Sequence, residues 1–268
     1  MKQLKSSSTD LRQLFDNHIT AWHVAEFLIS FEMDRPALDV LRYMEDKDFD
    51  VIGVRRDGIV MGYAKRQELG SGSLQAHTYP IETSEVLPDS TPLLATLEAL
   101  RSLSYRFVLL LGRVSGIVTR GDMQKAPVRM WLFGLITLIE MQMLRLVRDC
   151  YPDDSWKGRL TDGRVAKAVD LQTKRIQRGE AINLSDCLQF CDKRDILVRT
   201  PKLICITGVE QGGPDEECLK RLETVRDRLV HGQDVVSGLW PELVDLAAAA
   251  EDILRRLENA TFKVAEAT

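Results

Sequence analysis

Arg106-Phe107-Val108-Leu109-Leu110-Leu111, then Gly112-Arg113-Val114-Ser115, then Gly116-Ile117-Val118-Thr119-Arg120-Gly121-Asp122 decides the fold of the first half of this chain. It reads as a strand, a turn and a return strand, because apolar and β-branched runs are punctuated by glycine. The return strand closes on a threonine hydroxyl and, three residues later, a carboxylate. Working back, Thr91-Pro92 opens a helix through Leu93, Leu94, Leu97 and Leu100. The same order stands earlier in the chain. Pro36 to Glu45 is helical by the spacing of Leu38, Val40, Leu41 and Met44, and Phe49 to Val54 reads as a strand. Arg56-Asp57-Gly58 is a hairpin turn, since Asp-Gly supplies the positive-φ residues of a tight reversal, and Ile59 to Ala64 is the return strand. Helix, strand, turn and strand thus recur about 55–60 residues apart, which predicts two similar units packed on each other. Ahead of them, Ile19 to Ser30 is expected to be a helix, with Trp22, Ala25, Phe27 and Leu28 apolar. Between them, Leu69-Gly70-Ser71-Gly72-Ser73 is loop chemistry, expected to be mobile or beside a ligand.

From Ala126 the pattern becomes helical throughout. Helices are expected near 127–149, 162–178, 184–197, 215–231 and 240–259, with Leu203-Ile204-Cys205-Ile206 a short ambiguous run. The predicted organisation is an α+β protein with one domain over 1–125 and an all-α domain over 126–268. Its 268 residues suit two cores of ordinary size. A net charge of −4 argues against a dedicated duplex-DNA binder, so any nucleic-acid contact must come from a local patch. Five cysteines, an odd number, read as free thiols in a reducing compartment, and Met1 to Ser8 carries no apolar signal core, so a cytoplasmic location is expected. Cys187 and Cys191 stand four apart without further soft ligands nearby, which reads as helix packing rather than a metal site. Met130 to Ile139 is a short apolar run interrupted by Glu140, Gln142 and Arg145, which predicts a buried helix and no membrane partner. No Walker loop, G-x-G-x-x-G, H-E-x-x-H or nucleophile elbow is present.

The closing stretch Gly116 to Asp122 resembles the end motif of CBS (cystathionine beta-synthase) domains: a glycine, two apolar residues, Thr or Ser, two variable residues, then Asp. The resemblance covers about residues 15–125 and implies a CBS pair of two βαββα-like repeats. It also implies an adenine nucleotide of the AMP, ADP or ATP type as regulatory ligand, with no cofactor required. Carried over, Thr119 and Asp122 are the ribose candidates, and Arg106 and Phe107 sit at the strand entrance near the base. The chemistry suits the residue types, since a hydroxyl and a carboxylate can both meet a ribose diol. The structural alternative is that Thr119 and Asp122 end a strand and cap the next helix. In the first repeat Lys65 stands where Thr is expected and Glu68 where Asp is expected, so one competent site is predicted.

In the second half, Pro214-Asp215-Glu216-Glu217 opens a helix and Gly232 ends it, with Cys218, Leu222, Val225 and Leu229 on one face. Near its end, Arg226-Asp227-x-x-x-His231 resembles the motif of HEPN (higher eukaryotes and prokaryotes nucleotide-binding) domains, a resemblance covering about residues 126–262. It implies a helical bundle that acts as a metal-independent endoribonuclease on an RNA substrate. Two copies then form one composite site in a homodimer. In that reading His231 moves protons, Arg226 stabilises phosphorane charge, and Asp227 orients the His231 ring. Ordinary ion pairs, Glu223 with Arg226 and Asp227 with His231, are the structural alternative. A tyrosine two residues past the histidine, modified in some members, is replaced here by Gln233. Lys157, Arg159, Arg164, Lys167, Lys174, Arg175 and Arg178 form a basic run suited either to an RNA backbone or to a solvated helix face. Adjacency of the halves predicts that nucleotide binding reshapes the helical half. The alternative function is a non-catalytic nucleotide-sensing adaptor whose helical half binds RNA or protein.

Overall fold

The structure, a computed structural model, describes residues 13, 18–234 and 240–266. Backbone contacts divide them into a unit over residues 18–128 and another beginning at Arg129. The protein is thus mixed α+β, with its strands confined to the first unit among the described residues.

The first unit holds β1 (Glu26–Phe27), β2 (Ser30–Glu32), α1 (Ala37–Lys47), β3 (Val51–Arg56), β4 (Ile59–Lys65), β5 (Val86–Pro88), α2 (Leu93–Ala99), β6 (Tyr105–Leu110) and β7 (Arg113–Thr119). Two sheets result, ordered β2-β3-β4 and β1-β7-β6-β5. In each, a short strand pairs parallel with the first arm of a hairpin, β2 with β3 and β5 with β6. The repeat is closer than the sequence spacing suggested, for both hairpins recur 54 residues apart, Val51 at Tyr105 and Lys65 at Thr119. Even the bulge recurs, between Val54 and Arg55 and between Val108 and Leu109. Asp57-Gly58 turns at φ 52° and 78° as expected of Asp-Gly. The second hairpin turns at Leu111-Gly112, φ 52° and 79°, ahead of the predicted Gly112–Ser115, because Leu111 occupies the Asp57 position.

The predicted helix over Ile19 to Ser30 is instead a 3-10 turn at Ala21–His23 followed by β1 and β2. β1 pairs antiparallel with β7 and β2 parallel with β3, so the chain crosses between the two sheets at Leu28 and Ile29. Those ladder bonds outweigh an apolar spacing that also fits a helix. Around the hairpins, α1 buries Ala37, and packs Val40 and Met44 against Ile52, Val54, Ala64 and Leu74. Burial of a side chain such as Met44 contributes about 1.5–3 kcal/mol. The Leu69–Ser73 loop closes the start of α1, where the Gly72 carbonyl accepts from Ala37 N–H at 2.9 Å.

The second unit is built on α3 (Ala126–Cys150), α4 (Asp162–Gln177), α5 (Phe190–Val198), α6 (Pro201–Thr207), α7 (Pro214–Val230) and α8 (Trp240–Glu266). α3 starts three residues ahead of the unit boundary, close to the 125/126 division expected from sequence. It is longer than the apolar run predicted and, by length and composition alone, suffices to cross a membrane; 56% of its apolar window is buried within the protein. The predicted 184–197 helix is two pieces, a 3-10 turn at Leu184–Cys187 and then α5. The break comes where the Asp192 carboxylate accepts from Gln189 N–H at 2.9 Å and starts α5 afresh. The ambiguous Leu203–Ile206 run is helical, in α6, with Pro201 in its first turn. Trp156 is fully buried among Val147, Ala168, Leu184, Cys187, Leu188 and Ile196. The five cysteines are free, and Cys218 burial pushes its thiol up to about 12.

Candidate functional site

A cavity of about 730 Å³ opens in the first unit where the two repeats meet. The crossover Glu26–Ile29 forms one wall, the entrance to β3 (Asp48–Val51) a second, and Ser104, Tyr105, Ile117 and Thr119–Asp122 the rest. Thr119 and Asp122 are therefore brought together on it. The Asp122 carboxylate accepts from Thr119 N–H at 2.7 Å and from the Thr119 hydroxyl at 2.8 Å. The 3-10 turn that follows, Gly121–Gln124, has Arg120 at its N-cap and no side-chain cap bond, so neither Thr119 nor Asp122 caps it as the structural alternative expected. Asp122 is buried, and its other oxygen meets Lys125 Nζ at 2.7 Å. Lys125 Nζ also meets Glu26 at 2.9 Å and donates to the Val24 carbonyl at 2.7 Å.

Arg106 and Phe107, expected at the strand entrance near the base, do not line the cavity. Arg106 is buried and donates to the Tyr105 carbonyl and Ser102 Oγ, both at 3.0 Å. Phe107 is fully buried, its ring centroid 5.1 Å from Tyr63 and 5.5 Å from Tyr105. The strand entrance does reach the cavity, but one residue earlier, through Ser104 and Tyr105. Asp50 and Val51 were missed in the sequence, although they stand 54 residues before Ser104 and Tyr105 and the repeat itself could have pointed to them. The Leu69–Ser73 loop does not line the cavity either.

At the first repeat, the equivalent positions engage each other and Tyr79 at the surface. Lys65 Nζ lies 3.5 Å from Glu68 and 5.0 Å from the Tyr79 ring centroid. Tyr79 pairs with Tyr63 through both backbone groups, at 2.9 and 2.8 Å, and its hydroxyl holds the Glu68 carboxyl below the ordinary range. Gly62 makes this approach feasible, since a Cβ there would collide with the Tyr79 carbonyl.

In the second unit, Arg226, Asp227 and His231 all lie at the end of α7. His231 is exposed and takes the C-cap position, its N–H donating to the Asp227 carbonyl at 3.1 Å. The Asp227 carboxylate accepts from Arg226 Nη2 at 3.1 Å, so it engages the arginine rather than the His231 ring. Glu223 is likewise taken, by Arg194 at 3.0 Å, so neither expected ion pair within the helix forms. The Arg226 guanidinium lies 3.9 Å from Glu140 and 5.7 Å from the Phe190 ring centroid. Glu140 also holds the buried Lys193 at 2.7 Å. Arg129, which the sequence did not flag, donates to the Leu229 and Gln233 carbonyls at 3.1 and 2.8 Å, on either side of His231. Much of the basic run is ion-paired: Arg164 with Asp192 at 2.6 Å, Lys174 with Asp170 at 2.7 Å and Arg175 with Glu180 at 2.6 Å.

No family model matches the chain, and no curated protein does. Among solved structures, it is similar to the CBS domain of a bacterial CNNM/CorC-family Mg2+ transporter, at 14% identity and a TM-score of 0.35 over 48% of this chain and 86% of that one. It is similar to CBSX2 in complex with AMP, at 18% identity and a TM-score of 0.37 over 41% and 97%. It is also similar to a hemolysin-like protein containing a CBS domain from Oenococcus oeni PSU, at 15% identity and a TM-score of 0.34 over 44% and 96%.

Proposed function

We propose that this protein is a sensor of adenine-containing ligands whose helical half carries an RNA-directed output. The observation that carries the sensing half is the cavity of about 730 Å³ on which the Thr119 hydroxyl and the Asp122 carboxylate converge. The Asp122 carboxylate and the Thr119 hydroxyl together meet the ribose hydroxyls, and Phe49, Ile117 and Tyr105 offer an apolar wall to the base. In the first repeat Lys65 and Glu68 stand in the equivalent places and engage each other and Tyr79, which supports one ligand per chain.

For the output, the proposal is metal-independent RNA cleavage in a composite site of two copies. The neutral His231 ring of one copy takes the proton of an RNA 2′-hydroxyl, whose oxygen attacks the adjacent phosphorus. The second copy's ring, protonated, gives its proton to the departing 5′-oxygen, leaving a 2′,3′-cyclic phosphate and a free 5′-hydroxyl. Arg226 and Arg129 supply positive charge beside the forming phosphorane. Exposure of His231 at a helix end, beside the exposed apolar Val230, supports a site completed by a second copy. The non-catalytic adaptor is the second reading, favoured by the Arg226–Asp227 pair and by the ion-paired basic run. Cleavage of a mixed RNA with EDTA present, repeated with AMP and ATP, separates them. Cleavage that falls at least about a hundredfold in His231→Ala is expected. Equal rates in the two proteins would contradict catalysis by His231, and absence of cleavage leaves the adaptor.

A further inference from the structure

We infer that the cavity between the repeats selects an adenine nucleoside without phosphate over AMP or ATP; this rests on the reading of that cavity as an adenine-ligand site. Four carboxylates line it, Glu26, Asp48, Asp50 and Asp122, against a single guanidinium, Arg120. Two further cations stand at its edge, and each is already shared between two of those carboxylates. Arg66 meets Asp48 at 2.8 Å and Asp50 at 2.6 Å. Lys125 meets Asp122 at 2.7 Å and Glu26 at 2.9 Å. Arg120 is turned onto the end of α2, donating to the Leu100 and Arg101 carbonyls at 3.1 and 3.0 Å.

Four carboxylates against three cations leave one net negative charge around the cavity, and all three cations are engaged by protein groups. A phosphate must therefore break an existing ion pair or carbonyl contact to gain a partner. It must also bring about two negative charges toward carboxylates that stay ionised. Asp48 and Asp50 are the most solvent-exposed of the four, at 91% and 77%. Their repulsion of a phosphate is accordingly sensitive to salt. A ribose shares the Asp122 carboxylate with Thr119 and Lys125, but it brings no charge toward the other carboxylates.

The test is titration calorimetry on the full chain with adenosine, 5′-amino-5′-deoxyadenosine, AMP and ATP, in EDTA at low and moderate salt. Adenosine and its cationic amino analogue are expected to bind at least about tenfold tighter than AMP, and AMP tighter than ATP, with the gaps shrinking as salt rises. Asp48→Asn and Asp50→Asn, each checked for an unchanged melting curve, are expected to narrow the adenosine-to-AMP ratio about threefold. AMP or ATP binding as tightly as adenosine in EDTA would overturn the charge selection while leaving the adenine site standing. Binding of none of the four would remove the site reading itself.

Discussion

Asp122 accepts from Thr119 twice and holds Lys125, so a single carboxylate joins the end of β7 to the residue before α3. Replacing it with alanine removes the proposed ribose acceptor and leaves Lys125 on Glu26 and the Val24 carbonyl. Adenosine affinity should fall at least about tenfold in Asp122→Ala and about threefold in Thr119→Val, which keeps the charge. Calorimetry checks both, and wild-type affinity in Asp122→Ala would take that residue out of the site. Leu111 supplies a second residue-scale prediction. It is fully exposed at φ 52°, a conformation that costs a leucine about 1 kcal/mol. Leu111→Asn makes an Asn-Gly turn and should raise unfolding free energy by roughly 0.5–1 kcal/mol in urea. That Thr119 and Asp122 stand together on the cavity was legible, because one ends β7 and the other follows three residues later in the next turn. Lys125, Glu26 and Tyr105 were not, because only the meeting of β1, β7 and the two strand entrances puts them at the cavity or its edge.

Among the elements, α7 was the most readable. Pro214 and three acids mark its start and Gly232, at φ 67°, follows its end. Its side-chain partners were not readable, since Glu140 comes from α3 and Phe190 from α5. Glu216 anchors the helix start by accepting from Gly212 N–H at 2.6 Å. This bond holds its carboxyl below the ordinary 4.5, against burial and with help from Lys220 at 3.1 Å. A carboxyl depressed in the fold stabilises it above the unfolded value and loses that contribution as pH falls through the folded one. Glu216→Gln should therefore cost about 1–2 kcal/mol at pH 7. The gap from wild type should close as urea melts are taken to pH values below 4.5. A constant gap across that range would mean that the charge of Glu216 contributes nothing. The segment over Ile19 to Ser30 shows the opposite failure. Its apolar residues fit a helix, and only the distant partners β7 and β3 make it extended.

At the scale of the whole molecule, the two-part organisation was legible because hydrophobic periodicity changes near Ala126, where α3 begins. α3 starts within the first unit and continues into the second, and Lys125, bonded to Asp122 and Glu26, directly precedes it. In the proposed reading, a ligand drawing on Asp122 alters the hold on Lys125 and so changes the first turns of α3. Such coupling requires that ligand affinity differ between two states of α3. The measurement that tests it most directly is amide hydrogen exchange over residues 126–150 in the full chain with and without saturating adenosine, in wild type and Lys125→Met. The account predicts at least about a threefold change in exchange at the first turns of α3 in the wild type, lost in Lys125→Met. Adenosine bound to the wild type with unaltered exchange along α3 would contradict it.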